Sequence, residues 1–414
     1  MSAILCDTLV IGAGLSGLYA ALRCVVRGDK VIIIEATPRI GGRVWTHVAK
    51  LPDGTTWQYE VGAGRIHKSH THLLKLYKYY NIETHCKKES SLSYYPMGGS
   101  LEPNHFEIEF APVFTEVKRM GANAARQVSL GQVALRILGQ TRYTALRWHY
   151  PYCGELTTPN AWEGAGALQR DMANVANWCS VSSNDGTESL VKALANDLIR
   201  HGTIIVTGII AVGMKRADMQ WVIDTKLTHS MRYGNTITAQ RVIISSREAA
   251  EALYPVPQIR TALAAVAPRP MVRMYIAYPK DNSGIYWTDG LPTFSTNTPI
   301  RYIIPYGPGR LMISIDAEDA IPWMKLSSAA ARTAVIKQLK ALTGIKAPAP
   351  IYFAIHPWPH VGSFWRPGFA PGPVNRGLQH IAVRDNVFIV GEWRSSTHQA
   401  WMEGAIRSVT DAGL

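Results

Sequence analysis

Residues 4–43 read ILCDTLVIGAGLSGLYAALRCVVRGDKVIIIEATPRIGGR. An apolar strand, Leu5 to Ile11, runs into a glycine turn that spans Gly12 to Gly17. An apolar helix then leads to a second strand, Lys30 to Ile34, which ends at Glu35. Strand, glycine turn, helix and acidic strand end in this order are typical of a dinucleotide-binding βαβ unit. The sequence therefore predicts an α/β fold built on a doubly wound, Rossmann-like domain.

Each glycine of the turn has a separate physical task. Gly12 permits the tight turn, Gly14 lets the backbone approach a pyrophosphate, and Gly17 allows the helix to pack closely on the strand. The first N–H groups of the helix can bind phosphate oxygens, and Glu35, 18 residues after Gly17, is placed to accept hydrogen bonds from a ribose diol. The residues expected to bind the dinucleotide here are Gly12, Gly14, Leu15, Ser16, Gly17, Glu35 and Ala36.

A second glycine pair narrows the identity of the dinucleotide. The loop after Glu35 supplies two arginines around a Gly-Gly turn that can lie against a diphosphate. A nicotinamide-dependent enzyme usually has no need of this second turn, so FAD is the expected cofactor. Its ligands in this loop are expected to be Arg39, Gly41, Gly42 and Arg43.

Three further segments extend the pattern. They are Tyr59 to Arg65 (YEVGAGR), Asn386 to Glu392 (NVFIVGE) and Trp401 to Ala405 (WMEGA). Together with Asp7 to Arg43, they resemble the flavin-containing amine oxidases, a superfamily of monoamine oxidases, polyamine oxidases, L-amino-acid oxidases and lysine demethylases. The resemblance implies noncovalent FAD, because Ser363 stands where monoamine oxidases carry the cysteine that bonds to it. It also implies FAD contacts at Gly62, Ala63, Gly64, Arg65, Ile209, Gly391, Glu392, Trp401, Met402 and Ala405.

Two interleaved domains are expected from the length of 414 residues and from this resemblance. The FAD-binding domain is expected to comprise residues 1–75, 181–265 and 381–414. An α+β substrate-binding domain is expected to comprise residues 76–180 and 266–380, with a helical cap at about residues 105–180. Three separate segments of the chain would then form the FAD-binding domain.

The chain is basic, with 43 Lys and Arg residues against 30 Asp and Glu residues and a formal net charge of +13. Such a surface attracts anions, which include a carboxylate substrate, nucleic acid and an acidic membrane. The basic stretch at residues 118–147 shows no base-reading motif, so a solvated helix face explains it better than nucleic-acid binding. A nucleic-acid partner is therefore not expected, although the charge of +13 leaves it open, and no membrane partner is expected.

The five cysteines are odd in number and widely spaced, and none belongs to a CxxC pair. Reduced thiols and no structural metal are therefore expected. The first strand begins almost at Met1, which leaves no room for a signal peptide, and no apolar run approaches the ~18 residues that span a bilayer. A soluble, cytoplasmic or otherwise intracellular protein is expected, and a homodimer is left open.

The resemblance also assigns residues to the chemistry. In the family, hydride passes from the carbon beside nitrogen to flavin N5, which requires a neutral amine. Trp401 and Phe364 would form two aromatic walls around that amine, although Phe364, like Ile209, fits core packing equally well. Arg273 aligns with the strand on which the family carries a lysine that holds water near N5. Arginine keeps the charge but differs in bulk and geometry, which leaves an efficient oxidase and a weakly active one both open.

Arg65 is the sharpest indication of the substrate. It falls where L-amino-acid oxidases hold the substrate carboxylate, a task suited to the guanidinium fork, although a structural arginine is the alternative. Polyamine oxidases have an aromatic residue there but resemble the segment that continues through His67. Alternation along the strand places Tyr275 on the same face as Arg273. The candidate substrate-binding residues are thus Arg65, His67 and Tyr275.

Three functional interpretations follow. The first is FAD-dependent oxidation of an L-amino acid or another carboxylated amine, which gives an imine, and hydrogen peroxide when molecular oxygen is the acceptor. The imine then yields a keto acid or aldehyde with ammonia or an amine. The second is a polyamine oxidase, for which Glu155, Glu163 and Asp171 of the cap offer carboxylates that the sequence does not place. The third is a catalytically weak or inactive FAD-binding structural or interaction protein, which Arg273 motivates.

Overall fold

The computed structural model describes residues 4–87, 92–172, 178–181, 185–343 and 348–414. The helices in these ranges are α1 (Leu15–Val25), α2 (Thr71–Tyr79), α3 (Phe106–Ala125), α4 (Leu130–His149), α5 (Cys153–Thr157), α6 (Ala161–Met172), α7 (Glu188–Arg200), α8 (Arg247–Leu253), α9 (Pro257–Ala264), α10 (Ala317–Met324), α11 (Ser328–Thr343), α12 (Pro371–Asp385) and α13 (Met402–Asp411). Within the described ranges, no helix is long and apolar enough to cross a lipid bilayer.

The strands in the same ranges form two large sheets and two small ones. They are β1 (Ile4–Ile11), β2 (Val31–Glu35), β3 (Thr46–Lys50), β4 (Thr56–Glu60), β5 (Ile66–His67), β6 (Thr84–Lys87), β7 (Ser93–Tyr94), β8 (Glu102–Pro103), β9 (Trp178–Val181), β10 (Ile204–Thr207), β11 (Ile209–Ala217), β12 (Gln220–Leu227), β13 (Ile237–Ile244), β14 (Val266–Ala277), β15 (Phe294–Ser295), β16 (Tyr302–Pro305), β17 (Arg310–Asp316), β18 (Tyr352–Trp365) and β19 (Val387–Ile389).

The first large sheet contains the strand that leads into the glycine turn. Its strands lie in the order β10-β2-β1-β13-β12-β11, and β19 pairs with β13. β1 runs parallel to β2 and β13, and β10 and β19 are also parallel to their neighbours. Val10 belongs to a core with residues of α1, α7 and α13, whereas Leu9 belongs to a core with residues of α8, α9 and α12. Helices therefore cover both faces of a mostly parallel sheet, which confirms the predicted doubly wound fold.

The second large sheet has the order β18-β14-β17-β16-β15-β7-β8. β14 lies between β17 and β18, and its Arg273 pairs with Ser314 on one side and His356 on the other. Residues of α10 and α11 form an apolar core with this sheet. Helices α3 to α6 pack around a core of their own, which includes Phe110 and Val133. A mostly antiparallel sheet with segregated helices matches the α+β half that the sequence predicts.

Cys86 and Cys179 form a disulfide, so the expectation of reduced thiols is wrong for this pair. The two residues face each other across the antiparallel ladder of β6 and β9, although 93 residues separate them in the chain. Distant cysteines with no CxxC pattern give no sequence signal for such a pair, because only the sheet brings them together. The other cysteines, Cys6, Cys24 and Cys153, are buried free thiols.

Loss of this disulfide is expected to lower stability. Cross-linking a long loop typically stabilises a protein by about 2–4 kcal/mol, and Cys86 is exposed, so a reductant in solution can reach it. We expect dithiothreitol to lower the thermal unfolding midpoint of the wild-type protein, and Cys86→Ser to lower it to a similar extent. Dithiothreitol should have no further effect on the variant; an equal effect on both proteins would contradict a stabilising disulfide.

Candidate active site

A cavity of about 590 Å³ opens where the parallel strands of the first sheet end. The glycine turn after β1, Glu35 at the end of β2 and Ser245 after β13 line one end of it. Residues of β14, β18, α5 and α6 line the other end, together with the turn before α13. Sheets of this class bind ligands at the carboxyl ends of their strands, so this cavity is the candidate active site.

The three glycines of the turn are required for different reasons. Gly12 has a φ of +102°, and a Cβ there would lie 2.4 Å from Ser245 Oγ. A Cβ at Gly17 would lie 2.0 Å from the Gly12 carbonyl oxygen, so Gly17 serves the packing of α1 and does not line the cavity. Gly14 lines the cavity, and a Cβ there would have no protein atom within 4 Å. Gly14 therefore keeps volume free for a ligand that approaches the backbone.

Glu35 is held at the end of β2 by backbone groups. Its carboxylate accepts hydrogen bonds from the Ala13 N–H at 2.8 Å and from the Thr37 N–H at 2.8 Å. A carboxylate offers about four acceptor positions, so Glu35 can accept further bonds from a ligand in the cavity that it lines. This geometry suits the predicted contact with a ribose diol.

Arg39 shapes the second glycine turn. Its guanidinium donates hydrogen bonds to the carbonyl oxygens of Gly42 and Val44, and it lies 4.7 Å from the centroid of the Trp45 ring. Gly42 has a φ of +59°, which few side-chain-bearing residues adopt. All of the predicted cofactor ligands in this loop line the cavity, namely Arg39, Gly41, Gly42 and Arg43.

Arg43 and Glu392 meet at the cavity wall, although 349 residues separate them in the chain. Arg43 Nη1 lies 2.5 Å from Glu392 Oε1 and 3.2 Å from the Val361 carbonyl oxygen. The other oxygen of Glu392 accepts a hydrogen bond from the Ala400 N–H at 2.6 Å. The loop after β2 and the turn before α13 are therefore joined, as expected of two segments that bind one cofactor.

The segment from Gly62 to Arg65 forms another part of the wall. A Cβ at Gly62 would lie 1.9 Å from the Arg43 carbonyl oxygen, so only glycine fits at this position. Arg273 donates hydrogen bonds to the carbonyl oxygens of Gly62 and Glu60. Arg273 therefore lies against this segment and lines the cavity, as its place on β14 predicts.

Helix α13 begins at the cavity. Trp401 is its N-cap residue, and Trp401, Met402 and Ala405 line the cavity. The first N–H groups of a helix have no partner within the helix, and the positive end of the helix dipole favours negative charge beside it. The start of α13 thus suits a ligand that gains negative charge, as a flavin does on reduction.

Phe364 and Trp401 both line the cavity, and each ring has a close neighbour. The Arg269 guanidinium carbon lies 5.0 Å from the centroid of the Phe364 ring. Trp401 packs against Trp178 and His70, with ring centroids 5.2 Å apart in each case. The structure therefore brings the two predicted aromatic residues to one cavity and places a cation over Phe364.

Charged side chains cluster at the end of the cavity formed by β14 and the cap. Arg269 is 7% exposed, and its guanidinium lies 2.9 Å from a Glu155 oxygen and 3.2 Å from an Asp316 oxygen. Arg65 donates a hydrogen bond to the Tyr302 hydroxyl at 3.3 Å. Glu155 and Asp316 offset the charge of Arg269, which leaves Arg65 and Arg273 against Asp171 on the wall. Because arginine stays charged, an anionic group fits this end better than a cationic one. The charged residues that line it are Arg65, Arg269, Arg273, Glu155 and Asp171.

Some predicted residues lie away from the cavity wall. Tyr275 shares the face of β14 with Arg273, but it is fully buried, donates to the Glu60 carbonyl oxygen and stacks on Tyr59. His67 is 3% exposed, and its Nδ1 lies 2.8 Å from Ser69 Oγ. Neither residue can touch a substrate in the cavity without rearrangement. The predicted residues that the structure does not bring to the wall are Gly17, Ala36, His67, Ile209, Tyr275 and Gly391.

The sequence interpretation also misses residues that line the cavity, of which Arg269, Tyr152 and the segment 245–248 are the main ones. Arg269 precedes Arg273 by four residues on β14, so the alternation that predicts Arg273 also predicts Arg269. The segment 245–248 follows the parallel strand β13, and the carboxyl-end rule for such sheets applies to it. Tyr152 lies at the cap, and no pattern in the sequence singles it out.

The model of the flavin-containing amine oxidoreductase family matches residues 15–113 and 180–412. The chain belongs to this family. It is 33% identical over 124 residues to a flavin-containing amine oxidase of Danio rerio, a match that covers 30% of this chain and 22% of that protein. It is 46% identical over 68 residues to an L-amino-acid oxidase of Mus musculus, a match that covers 16% of this chain and 10% of that protein. The chain therefore spans less than a quarter of the length of either relative.

A solved structure shares the fold over the whole chain. A wild-type putrescine oxidase bound to putrescine superposes with a TM-score of 0.73 at 16% identity, which covers 100% of this chain and 99% of that chain. This likeness establishes the amine oxidase fold, with its FAD-binding half and its second half. It confirms the fold class that the opening glycine turn predicts.

FAD is the cofactor of this family, and the residues of the cavity fit it. The open position at Gly14 leaves room for a diphosphate, and Glu35 can accept hydrogen bonds from a ribose. The start of α13 suits a flavin. No cysteine of the described residues lines the cavity, and Ser363 lines it where monoamine oxidases carry their cysteine. Noncovalent FAD follows.

Two buried histidines behind Trp401 are expected to make the protein sensitive to acid. Burial lowers the pKa of His70 and the pKa of His398 to about 3, and nearby positive charge, including Arg170, acts in the same direction. Histidine in an unfolded chain has a pKa of about 6.5. Between these values the unfolded state binds more protons than the folded state, so the free energy of unfolding falls as pH drops below about 6.5. The loss is up to about 1.4 kcal/mol per pH unit for each histidine.

Urea unfolding of the wild type and of His398→Asn between about pH 6.5 and pH 4.5 measures this contribution. The variant should show a shallower pH dependence, because one histidine no longer binds a proton on unfolding. His229→Asn is the matched control, since His229 is exposed. Parallel curves for the wild type and His398→Asn would contradict the prediction.

Proposed function

We propose that this protein uses FAD to oxidise a carboxylated amine, with an L-amino acid as the best fit, and that molecular oxygen is the acceptor. Arg65 carries the proposal, because its guanidinium lines the same cavity as Gly14 and Trp401. A guanidinium can bind a carboxylate through two parallel hydrogen bonds. The excess of arginine at this end of the cavity and the match to an L-amino-acid oxidase over 68 residues support the same substrate class.

The residues of the chain would bind and orient this substrate. Arg65 would hold the carboxylate, and Trp401 and Phe364 would limit the directions that the amine can take. Leu168 and Met271 are buried and line the same end, so they would help to exclude water. FAD, when bound, supplies the hydride acceptor. The product imine would be hydrolysed to a keto acid and ammonia.

Anaerobic mixing of the holoenzyme with matched pairs of amines tests this proposal. L-Phenylalanine and 2-phenylethylamine differ only in the carboxylate, and so do L-leucine and 3-methylbutylamine. We expect the amino acid of at least one pair to bleach the visible flavin absorbance faster than its decarboxylated partner. Bleaching by putrescine or spermine together with none by any L-amino acid would overturn the proposal.

Polyamine oxidation is the second candidate, because Glu155 and Asp171 of the cap line the cavity. Glu155 is already paired with Arg269 at 2.9 Å, which leaves Asp171 as the better placed of the two for a substrate cation. With Arg269 offset by Glu155 and Asp316, one carboxylate remains beside two arginines, Arg65 and Arg273, which suits a polycationic substrate less well than an amino acid. The amine panel described above separates the two candidates.

A flavoprotein with little turnover is the third candidate. The reason to consider it is that Arg273 stands where the family carries a lysine. Two backbone carbonyl oxygens accept hydrogen bonds from Arg273, so its guanidinium is fixed against the Gly62 segment. Peroxide formation by the wild type and by Arg273→Lys, with the same panel of amines, distinguishes this candidate. This candidate is supported if the wild type forms no peroxide and Arg273→Lys does. It is ruled out if the wild type forms peroxide at a high rate.

A further inference from the structure

Amine oxidation requires a base, which the residues assigned so far to an amino-acid substrate do not supply. Aliphatic amines are mostly protonated near neutral pH, whereas the carbon beside nitrogen can lose hydride only when the nitrogen lone pair is available. A substrate that arrives as an ammonium ion must therefore lose a proton in the cavity. Arg65, Arg269 and Arg273 cannot accept it, because arginine stays protonated.

Asp171 lies on the face of α6 that closes the cavity. The α6 residues that line it are spaced by three or four positions and so share one helix face; they are Gly164, Ala167, Leu168 and Asp171. Trp401, the N-cap residue of α13 and a predicted wall of the amine site, lies close enough to the Asp171 carboxylate to stabilise its negative charge. The carboxylate is thereby placed beside the aromatic wall of the substrate end.

The surroundings of Asp171 suit a group that gains and loses a proton. Burial, and then the negative charge of Glu155, raise the pKa of Asp171 to about 7, while Arg170 and the Trp401 side chain act in the opposite direction. Asp171 forms no ion pair within 4 Å with any residue of the described ranges. A general base is most efficient when its pKa lies near the working pH.

The other acids and bases near the cavity are held in ion pairs or hydrogen bonds, or lie away from the substrate end. Glu155 is paired with Arg269 at 2.9 Å and accepts a hydrogen bond from the Tyr150 hydroxyl at 2.5 Å. His360 lines the cavity, but it pairs with Glu248 at 2.9 Å, and both side chains are largely exposed. The remaining carboxylates of the wall, Glu35 and Glu392, are held by the backbone and by Arg43 at the cofactor end. The histidines behind Trp401 do not line the cavity.

We propose that Asp171 is the base that takes the proton of the substrate ammonium. An N–H bond of the ammonium breaks, the proton moves to a carboxylate oxygen of Asp171, and the electron pair stays on nitrogen as the lone pair that hydride loss requires. Asp171 returns the proton to water after the product leaves. This inference rests on the proposed function in so far as the substrate is an amine that enters protonated.

Asp171→Asn tests the proposal, with Glu163→Gln as the matched control. Glu163 lies on the same helix, pairs with Arg126 at 2.9 Å and does not line the cavity. With L-leucine as the probe, Asp171→Asn should reduce the anaerobic rate of flavin reduction at pH 7 by about 10²-fold or more. The rate should return toward the wild-type value as pH approaches the pKa of the leucine ammonium, because the neutral amine is then present in solution. Glu163→Gln should follow the wild-type profile throughout.

A binding measurement provides a readout other than turnover. 2-Aminoisobutyrate has no hydrogen on the carbon beside nitrogen, so it binds without oxidation, and its Kd can be taken from the visible spectrum of the flavin. In the wild type its binding should tighten by up to about tenfold per pH unit as Asp171 ionises on approach to pH 7. In Asp171→Asn this pH dependence should be absent.

Two results would overturn the proposal. One is an identical pH profile of flavin reduction in the wild type and Asp171→Asn. The other is a loss confined to L-lysine, with L-norleucine unaffected and no recovery at high pH, which would make Asp171 a residue that recognises a cationic side chain. If no L-amino acid but another amine of the panel reduces the flavin, the proposed function fails, and the same profile measured with that amine still decides the role of Asp171.

Discussion

Arg65→Met is expected to lower kcat/KM for L-phenylalanine by about 10²–10³-fold and to leave kcat/KM for 2-phenylethylamine nearly unchanged. Removing one partner of a buried charge pair costs about 2–5 kcal/mol, and this factor corresponds to about 2.7–4 kcal/mol. Because the two substrates differ only in the carboxylate, the ratio of their kcat/KM values isolates the contact with Arg65. Arg65→Lys should recover part of the loss, since lysine keeps the charge but not the planar fork.

Lys68→Met is the matched control for Arg65→Met. Lys68 is exposed and lies three residues further along the chain, so its substitution removes the same charge without altering the cavity. FAD content and the thermal unfolding midpoint should be measured for each variant, because Arg65 also donates to the Tyr302 hydroxyl. A loss of equal size with both substrates would show that Arg65 supports the fold of the site and does not bind a carboxylate.

Gly14→Ala is expected to weaken FAD binding, whereas Gly17→Ala is expected to destabilise the fold. A Cβ at Gly14 meets no protein atom within 4 Å and points into cavity volume, so the variant should fold but bind FAD about 10²-fold more weakly. A Cβ at Gly17 would lie 2.0 Å from the Gly12 carbonyl oxygen, a backbone atom that cannot move aside easily. Gly17→Ala should therefore lower the free energy of unfolding by about 3 kcal/mol or more.

Thermal unfolding with and without added FAD separates these effects. A ligand that binds only the folded state raises the unfolding midpoint, so FAD should stabilise the wild type strongly and Gly14→Ala weakly. Without FAD, Gly14→Ala should unfold at the same temperature as the wild-type apoprotein, whereas Gly17→Ala should unfold at a lower one. Purification of Gly14→Ala with a full complement of FAD would contradict the assignment of this position to the cofactor.

Local patterns are enough to bring the residues predicted to bind the cofactor to one cavity. Gly12, Gly14 and Glu35 belong to one βαβ unit, and strand period, helix period and short turns determine their relative positions within about 30 residues. The start of α13 after Trp401 is equally local. These residues could be assigned from the sequence because their geometry depends on the conformation of the chain nearby.

The substrate half depends on contacts that the sequence does not encode locally. Asp171 and Arg269 reach one cavity only because the cap packs against the second large sheet, where α6 contacts β18 and Glu155 of α5 pairs with Arg269 of β14. Tyr275 obeys the same alternation as Arg273, yet neighbouring rings bury it away from the cavity. Alternation identifies the face of a strand, but packing decides which residues on that face remain accessible.

The sequence by itself therefore determined the doubly wound fold, the dinucleotide and the family, because these follow from short-range spacing and from motifs whose residues lie close in the chain. The tertiary structure decided which charges share the cavity, the contact of Arg43 with Glu392 across 349 residues, and the disulfide between Cys86 and Cys179 across 93 residues. Such pairs arise only when distant segments pack together. The charge at the substrate end, and with it the proposed choice of substrate, is a property of that packing.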